Sequence, residues 1–211
     1  MKITIIGASA GVGLATTKRA LERHHDVTTL ARSEIALPAS NHLTTLKGSA
    51  TSKADLTEAI RGSEAVIVAL GTGKSMKQTT LYSDFARVPV EVAQELKFSA
   101  PIIVLTGFGA GESAQYHDNF IMRMFFKFFL KDVYDDKSIM EKTITESNLN
   151  WIIVRPGLLK DLPLTEQYRV EERLFKGMKI GPIGRADVAD FMVKQAENPS
   201  HVRQYPALSN Q

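Results

Sequence analysis

The chain has 211 residues, 44% hydrophobic and 23% charged, with a formal net charge of +3. Such a length suits one domain of about 100–200 residues. The apolar content excludes a disordered chain, and the absence of cysteine excludes disulfides, cysteine–metal sites and thiol nucleophiles. Basic and acidic residues alternate along the sequence, so a pI of about 9.0 describes a mildly basic protein, and no nucleic-acid partner is expected.

The opening run, MKITIIG, is too short for the apolar stretch of a signal peptide. No uncharged stretch reaches the ~20 residues needed to span a bilayer, so a cytoplasmic protein without a membrane span is expected. Taken in chain order, a strand over residues 2–6 is followed by a helix over 12–23 and strands over 26–31 and 43–47. A helix over 53–61, a strand over 65–70, a helix over 79–98 and a strand over 101–106 come next. The pattern ends with a helix over 135–147, a strand over 151–155 and a last helix over 186–197. Runs such as AVIVAL and PIIVL are apolar on both alternating faces, as in strands covered by helices on both sides. The alternation predicts an α/β, Rossmann-like doubly wound parallel sheet with strand order 3-2-1-4-5-6. Proline and glycine are denser after residue 155. Residues 156–184 are therefore expected to form loops and short strands over the acceptor end of a single domain, 1–211.

The first strand runs into Gly7-Ala-Ser-Ala-Gly11-Val-Gly13 and then a helical sequence. Gly7 permits a sharp turn, Gly11 lets the backbone approach a pyrophosphate, and Gly13 lets the helix pack close to the sheet. The helix N-terminus supplies unpaired N–H groups for phosphate. Where an NAD-binding site carries an acid after the second strand, this chain has Arg32 and Ser33. That pair suits a 2′-phosphate, so NADP(H) is expected over NAD(H).

Together with AVIVALGTG at 65–73, KSIMEKTITESNLNWIIVRPGLL at 137–159, GRADVADFMV at 184–193 and the terminal QYPALSN, these residues resemble an atypical short-chain dehydrogenase/reductase. The chain is most similar to the branch of flavin reductase, biliverdin-IXβ reductase and NmrA-like proteins. The resemblance implies pyrophosphate on Gly7, Ser9, Ala10, Gly11 and Val12, and the 2′-phosphate on Arg32 and Ser33. Leu70, Gly71 and Thr72 would lie beside adenosine and ribose, with Ser49 and Ala50 on the same cofactor. Thr106, Gly107, Pro156, Gly157 and Leu158 would flank the nicotinamide, and a planar acceptor would stack on its open face. The chain departs from the pattern at three places: Ser49 stands where the family often has Asp, Gly107 where Ser is common, and Leu158 where the reductases have His.

None of the five tyrosines is followed by lysine at the fourth position, and the five histidines lack metal-ligand spacing, so no metal is expected. Tyr134 and Lys137, three apart, can share a helix face. Lys137 is the remaining polar candidate for catalysis: it would hold a ribose hydroxyl or an anionic acceptor, or else form a surface pair with Glu141. Hydride transfer to a flavin or quinone needs chiefly the positioning of two flat rings. The leading expectation is an NADPH-dependent reductase of a planar acceptor, flavin ahead of quinone and bilin, working as a monomer or homodimer. The alternative is a non-catalytic NADP-binding redox sensor of the NmrA type acting through a protein partner, and a nucleotide-sugar epimerase or dehydratase ranks third. Five of the ten phenylalanines lie within 120–129, beside Arg123, Lys127 and Lys131 at helical spacing. That segment reads as a helix packed on the sheet, a lid over the acceptor, or a dimer or membrane-facing surface.

Overall fold

Strand β1 (Lys2–Ile6) is built from Ile3, Thr4, Ile5 and Ile6, four β-branched residues that are all buried. Because side chains alternate along a strand, Ile3 and Ile5 join one core layer and Ile6 the other. The computed structural model describes residues 1–73, 79–116, 130–175, 178 and 180–211. After β1 come α1 (Gly11–Glu22), β2 (Asp26–Ala31), β3 (Leu43–Lys47), α2 (Lys53–Ile60), β4 (Ala65–Val68) and α3 (Leu81–Leu96). Then follow β5 (Pro101–Leu105), a 3₁₀ turn (Gly111–Tyr116), α4 (Lys131–Thr145) and β6 (Asn150–Pro156). The chain closes with β7 (Leu159–Lys160), β8 (Tyr168–Glu171), β9 (Ile183–Gly184), α5 (Arg185–Glu197) and β10 (Ala207–Asn210).

Among the described residues, one sheet has the order β3-β2-β1-β4-β5-β6-β10-β8, and β7 pairs with β9 separately. The first six strands follow the expected 3-2-1-4-5-6 order, and every pairing among them is parallel. β10 lies parallel to β6, and β8 closes that edge antiparallel. The resulting Rossmann-like α/β architecture carries its short strands after residue 156, as the punctuation there implied.

Two apolar layers hold the helices on opposite faces. On one, Leu56, Phe85, Val92, Met140 and Ile144 pack against Val66, Val68, Ile102, Val104 and Ile153. On the other, Val12, Ala20, Val188, Phe191 and Met192 pack against Ile67, Ile103, Ile152 and Val154. The second layer also has a polar tie: Arg19 of α1 donates to the fully buried Asp190 of α5 from Nε (2.9 Å) and Nη2 (2.7 Å). Tyr168 of β8 donates to the other oxygen of Asp190 at 2.8 Å, so one carboxylate joins two helices and the edge strand.

Many element ends shift by one or two residues from the sequence reading, and β4, α4 and a 3₁₀ turn differ for identifiable reasons. β4 stops at Val68, because Ala69 turns to meet Gly7. α4 begins at Lys131, not 135: Asp132, Asp135 and Asp136 look like a helix-opening acidic cluster, but only Asp132 lies in the first turn. The 3₁₀ turn at Gly111–Tyr116 had no periodic signal at all. The aromatic segment 120–129 lies outside the described residues; Lys131, beyond it, opens α4.

Candidate functional site

At the carboxyl end of β1 the backbone must pass Ala69. A side chain on Gly7 would place its Cβ 2.6 Å from the Ala69 carbonyl oxygen, and Gly7 adopts φ +85°. A Cβ on Gly13 would lie 2.1 Å from the Gly7 carbonyl oxygen, so α1 can start this close to the turn only with glycine there. Gly11, at φ +56°, is different: its Cβ would have no neighbour nearer than Arg185 Nε at 3.9 Å. Ala10 is the residue before the helix and offers no side-chain acceptor, and the first turn of α1 has no acid. Ala10 and Gly11 are exposed, Ser9 is half-buried and Val12 is buried. First-turn N–H groups left without a side-chain acceptor make a helix start suited to an anion.

Arg32 and Ser33 follow β2, and both are exposed. After β3, Ser49 donates its amide to Asp55 Oδ2 at 2.7 Å and exchanges a 2.9 Å hydroxyl bond with Thr51, while Ala50 is buried. A Cβ on Gly48 would sit 2.6 Å from Asp55 Oδ2, so this turn is closed around Asp55. Beyond β4, Leu70 and Thr72 are half-buried and Gly71 is exposed, with the Tyr82 hydroxyl hydrogen-bonded to Thr72.

The ends of β5 and β6 hold a second group. Thr106 gives its hydroxyl to Glu141 Oε1 at 2.7 Å, and its carbonyl accepts Lys137 Nζ at 2.6 Å. Lys137 also stands 5.0 Å from the centre of the Tyr134 ring and 5.3 Å from that of Tyr82. Burial lowers Lys137 to about 8, with Glu141 opposing the shift. Burial likewise raises Tyr134 to about 12, helped by Tyr82 and Glu141. A Cβ on Gly107 would lie 2.8 Å from Tyr134 Oη. The tyrosine hydroxyl thus occupies the room that a serine at this position would need. The surface pair between Lys137 and Glu141 considered from sequence does not describe Glu141, which is buried and points inward.

Glu141's partner is Arg155, the largest fully buried side chain. Arg155 reaches Glu141 through Nε (3.1 Å) and Nη2 (2.6 Å) and Glu112 through Nη1 (2.7 Å) and Nη2 (2.9 Å), with the Tyr205 ring 4.1 Å away. Burial works against its charge, and the two carboxylates more than offset that, holding the guanidinium above its ordinary range. This ion network fixes Thr106 from behind, through Glu141. Sequence reasoning missed it. The arginine before Pro156 was a visible signal, but its two partners come from segments 14 and 43 residues away.

Pro156 ends β6 and is buried; Gly157 is half-buried, where a Cβ would lie 2.0 Å from the Gly181 carbonyl oxygen. Leu158 is 63% exposed, and Leu162, Leu164 and Phe175 after it are also exposed. Arg185 was likewise missed; as the first residue of α5 it comes beside Gly11 only through the packing of α5 on α1. Among the described residues, no group of three His, Asp or Glu side chains could hold a metal ion. No helix there is long and apolar enough to cross a membrane.

Comparison with known proteins agrees with this geometry. The chain is 25% identical over 214 residues to UPF0659 protein YMR090W of Saccharomyces cerevisiae, covering 95% of this chain and 88% of that one. In fold it is similar to ChuY, an anaerobilin reductase from Escherichia coli O157:H7, with TM-score 0.79, 21% identity, and 100% and 97% of the two chains covered. It is also similar to a short-chain dehydrogenase/reductase of Veillonella parvula in complex with NADP, with TM-score 0.81, 18% identity, and 99% and 94% coverage. The NAD(P)H-binding family matches residues 7–199, nearly the whole chain, from the glycine turn to the end of the last helix. This protein belongs to the NAD(P)H-binding family.

Proposed function

We propose that the protein is an NADPH-dependent reductase that passes hydride to a planar conjugated acceptor, a flavin, a quinone or a linear tetrapyrrole. The observation that carries this reading is the pairing of two features at the ends of β5 and β6. Lys137 and Tyr134 bring polar hydrogens to Thr106 and Gly107, while Leu158, Leu162 and Leu164 give the following segment an exposed apolar rim. Flat apolar molecules with a polar edge suit such a setting. The fold likeness to an anaerobilin reductase supports the tetrapyrrole beside the flavin that the family resemblance implies.

The residues fit the cofactor. Gly7, Ser9, Ala10, Gly11 and Val12 surround an uncapped helix start, and Gly11 leaves open the space a side chain would fill. Arg32 and Ser33 would hold a 2′-phosphate, Leu70, Gly71 and Thr72 the adenosine and ribose, with Ser49 and Ala50 nearby. Thr106, Gly107, Pro156, Gly157 and Leu158 would border the nicotinamide, and Lys137 a ribose hydroxyl or the acceptor. When bound, the nicotinamide supplies the hydride. The chain's own part is to fix Thr106 through the Arg155–Glu141 pair and to orient the acceptor edge with Lys137 and Tyr134. A purified sample should oxidise NADPH when offered FMN, a quinone or a linear tetrapyrrole, followed by loss of nicotinamide absorbance. Tight NADPH binding with no oxidation by any of the three would replace this reading with the redox sensor.

A further inference from the structure

Arg185 opens α5 directly after Gly184, and its Nε is the nearest heavy atom to the place a Gly11 side chain would take, at 3.9 Å. The guanidinium therefore stands beside the start of α1, where Ala10 gives no cap and the first turn has no acid. Its recorded partner is Asp161, across 2.9 Å from Nη1. That partner is weak: the Asp161 side chain is 92% exposed, while Arg185 is only 31% exposed. A pair with one member in full solvent contributes little. A pyrophosphate presents two negative charges and several acceptor oxygens, and a guanidinium is shaped for bidentate contact with such a group.

Asp161 begins a segment fastened to the same helix at its other end. Asp187 Oδ1 accepts from the amides of Thr165 (2.8 Å) and Glu166 (2.9 Å), and Oδ2 accepts from the Thr165 hydroxyl (2.9 Å). Asp187 is buried, so this end is well held. Leu162 lies close to Gly184, 3.3 Å from where a Cβ there would stand. The segment carrying exposed Leu162 and Leu164 thus has one firm anchor at Asp187 and one exchangeable anchor at Arg185.

We propose that Arg185 binds the cofactor's pyrophosphate together with the start of α1, exchanging Asp161 for phosphate, so that nucleotide binding frees the Asp161 end of segment 161–166. The proposal rests on NAD(P)H binding and not on the identity of the acceptor. It is tested by calorimetric titration of the wild type, Arg185→Met, Arg185→Lys and Asp161→Asn with NADP⁺ and with adenosine 2′-phosphate, which has no pyrophosphate. Arg185→Met should weaken NADP⁺ about tenfold or more and leave adenosine 2′-phosphate within about twofold, with Arg185→Lys intermediate. Asp161→Asn, which releases the arginine, should tighten NADP⁺. Methyl order parameters of Leu162 in the wild type should fall when NADP⁺ is added while that of Thr165 stays high, a readout that needs no variant. Equal weakening of both ligands by Arg185→Met, unchanged NADP⁺ affinity in that variant, or a Leu162 methyl order parameter that does not fall would each overturn the proposal. Loss of NADPH oxidation with all acceptors while these binding results hold would count against the reductase reading alone.

Discussion

Lys137 shows how a single residue changes meaning between sequence and structure. On a helix with Glu141 four residues later it reads as half of a solvent-exposed pair worth ~0.2–0.5 kcal/mol. In the fold Glu141 is drawn inward by Arg155, and Lys137 is left on the Thr106 carbonyl between two tyrosine rings. Its ammonium form is penalised by burial, which brings it down from 10.5 to about 8. Free amine therefore accumulates as pH rises through 8, well before an ordinary lysine releases its proton. Competitive acylation followed by peptide mapping should show Lys137 reactivity levelling off above pH 8 while Lys53 and Lys131, both held above their ordinary value by acidic partners, continue to climb. A Lys137 profile parallel to theirs would show that its proton is held normally. Arg32 carries the complementary prediction about selectivity. It is exposed and, among the described residues, has no ion-pair partner, so its loss should act on ligand and not on fold. Arg32→Ala should weaken NADPH by about tenfold or more, the value of a charged hydrogen bond, with little change for NADH; equal losses for both would remove the 2′-phosphate role.

At the scale of elements, what was legible depended on how local the cause was. β1, β2 and β3 match the expected spans because their apolar, β-branched runs end at glycine or polar turns. α3 runs through Pro89 for the full stretch Leu81–Leu96, since its buried face of Tyr82, Phe85, Val92 and Ala93 outweighs the missing amide. β8 and β10 carried no periodic signal strong enough to be drawn as strands. Each is four residues long and takes its place from β6 and from Tyr168 meeting Asp190. In the site, the glycine turn and Arg32 were readable because each is a local motif. The roles of Arg155, Glu141 and Arg185 exist only after helices meet strands. The tie between α1 and α5 is the clearest element-level test. Asp190→Asn takes the buried carboxylate from the nearly buried Arg19, leaves it only the half-exposed Glu166, and should cost about 3 kcal/mol in denaturant unfolding. Lys53→Ala, on an exposed pair with Glu91 and Glu95, should cost less than about 1 kcal/mol. Comparable losses in the two variants would contradict the assignment of Asp190 as a keystone.

For the whole molecule, the carboxylates paired with arginine set the acid limit. Burial pushes Asp190 up, but hydrogen bonds from Lys194, Tyr168 and Arg19 leave it below its ordinary 3.8. The Arg23 hydrogen bond lowers Glu197 from 4.5 against opposing burial, and His25 adds to it. Arg155 likewise more than reverses the effect of burial on Glu112. A carboxyl with a lower value folded than unfolded stabilises the fold fully above its ordinary value and loses that contribution as pH falls through the folded one. Stability should therefore be flat between about pH 5 and 7 and fall steadily below about pH 4, less steeply in Asp190→Asn; an equally steep fall in that variant would mean the acid limit lies elsewhere. The sheet and the glycine turn carry the nucleotide site, and the proposed acceptor would face it at the ends of β5 and β6. Direct hydride transfer to that acceptor is the central claim. The measurement that tests it is single-turnover oxidation of NADPH, bound first and then mixed with FMN, a quinone or a linear tetrapyrrole, using cofactor deuterated on either face of C4. Acceptor-dependent oxidation that slows with deuterium on one face only is expected. Bound NADPH that survives every acceptor would contradict it.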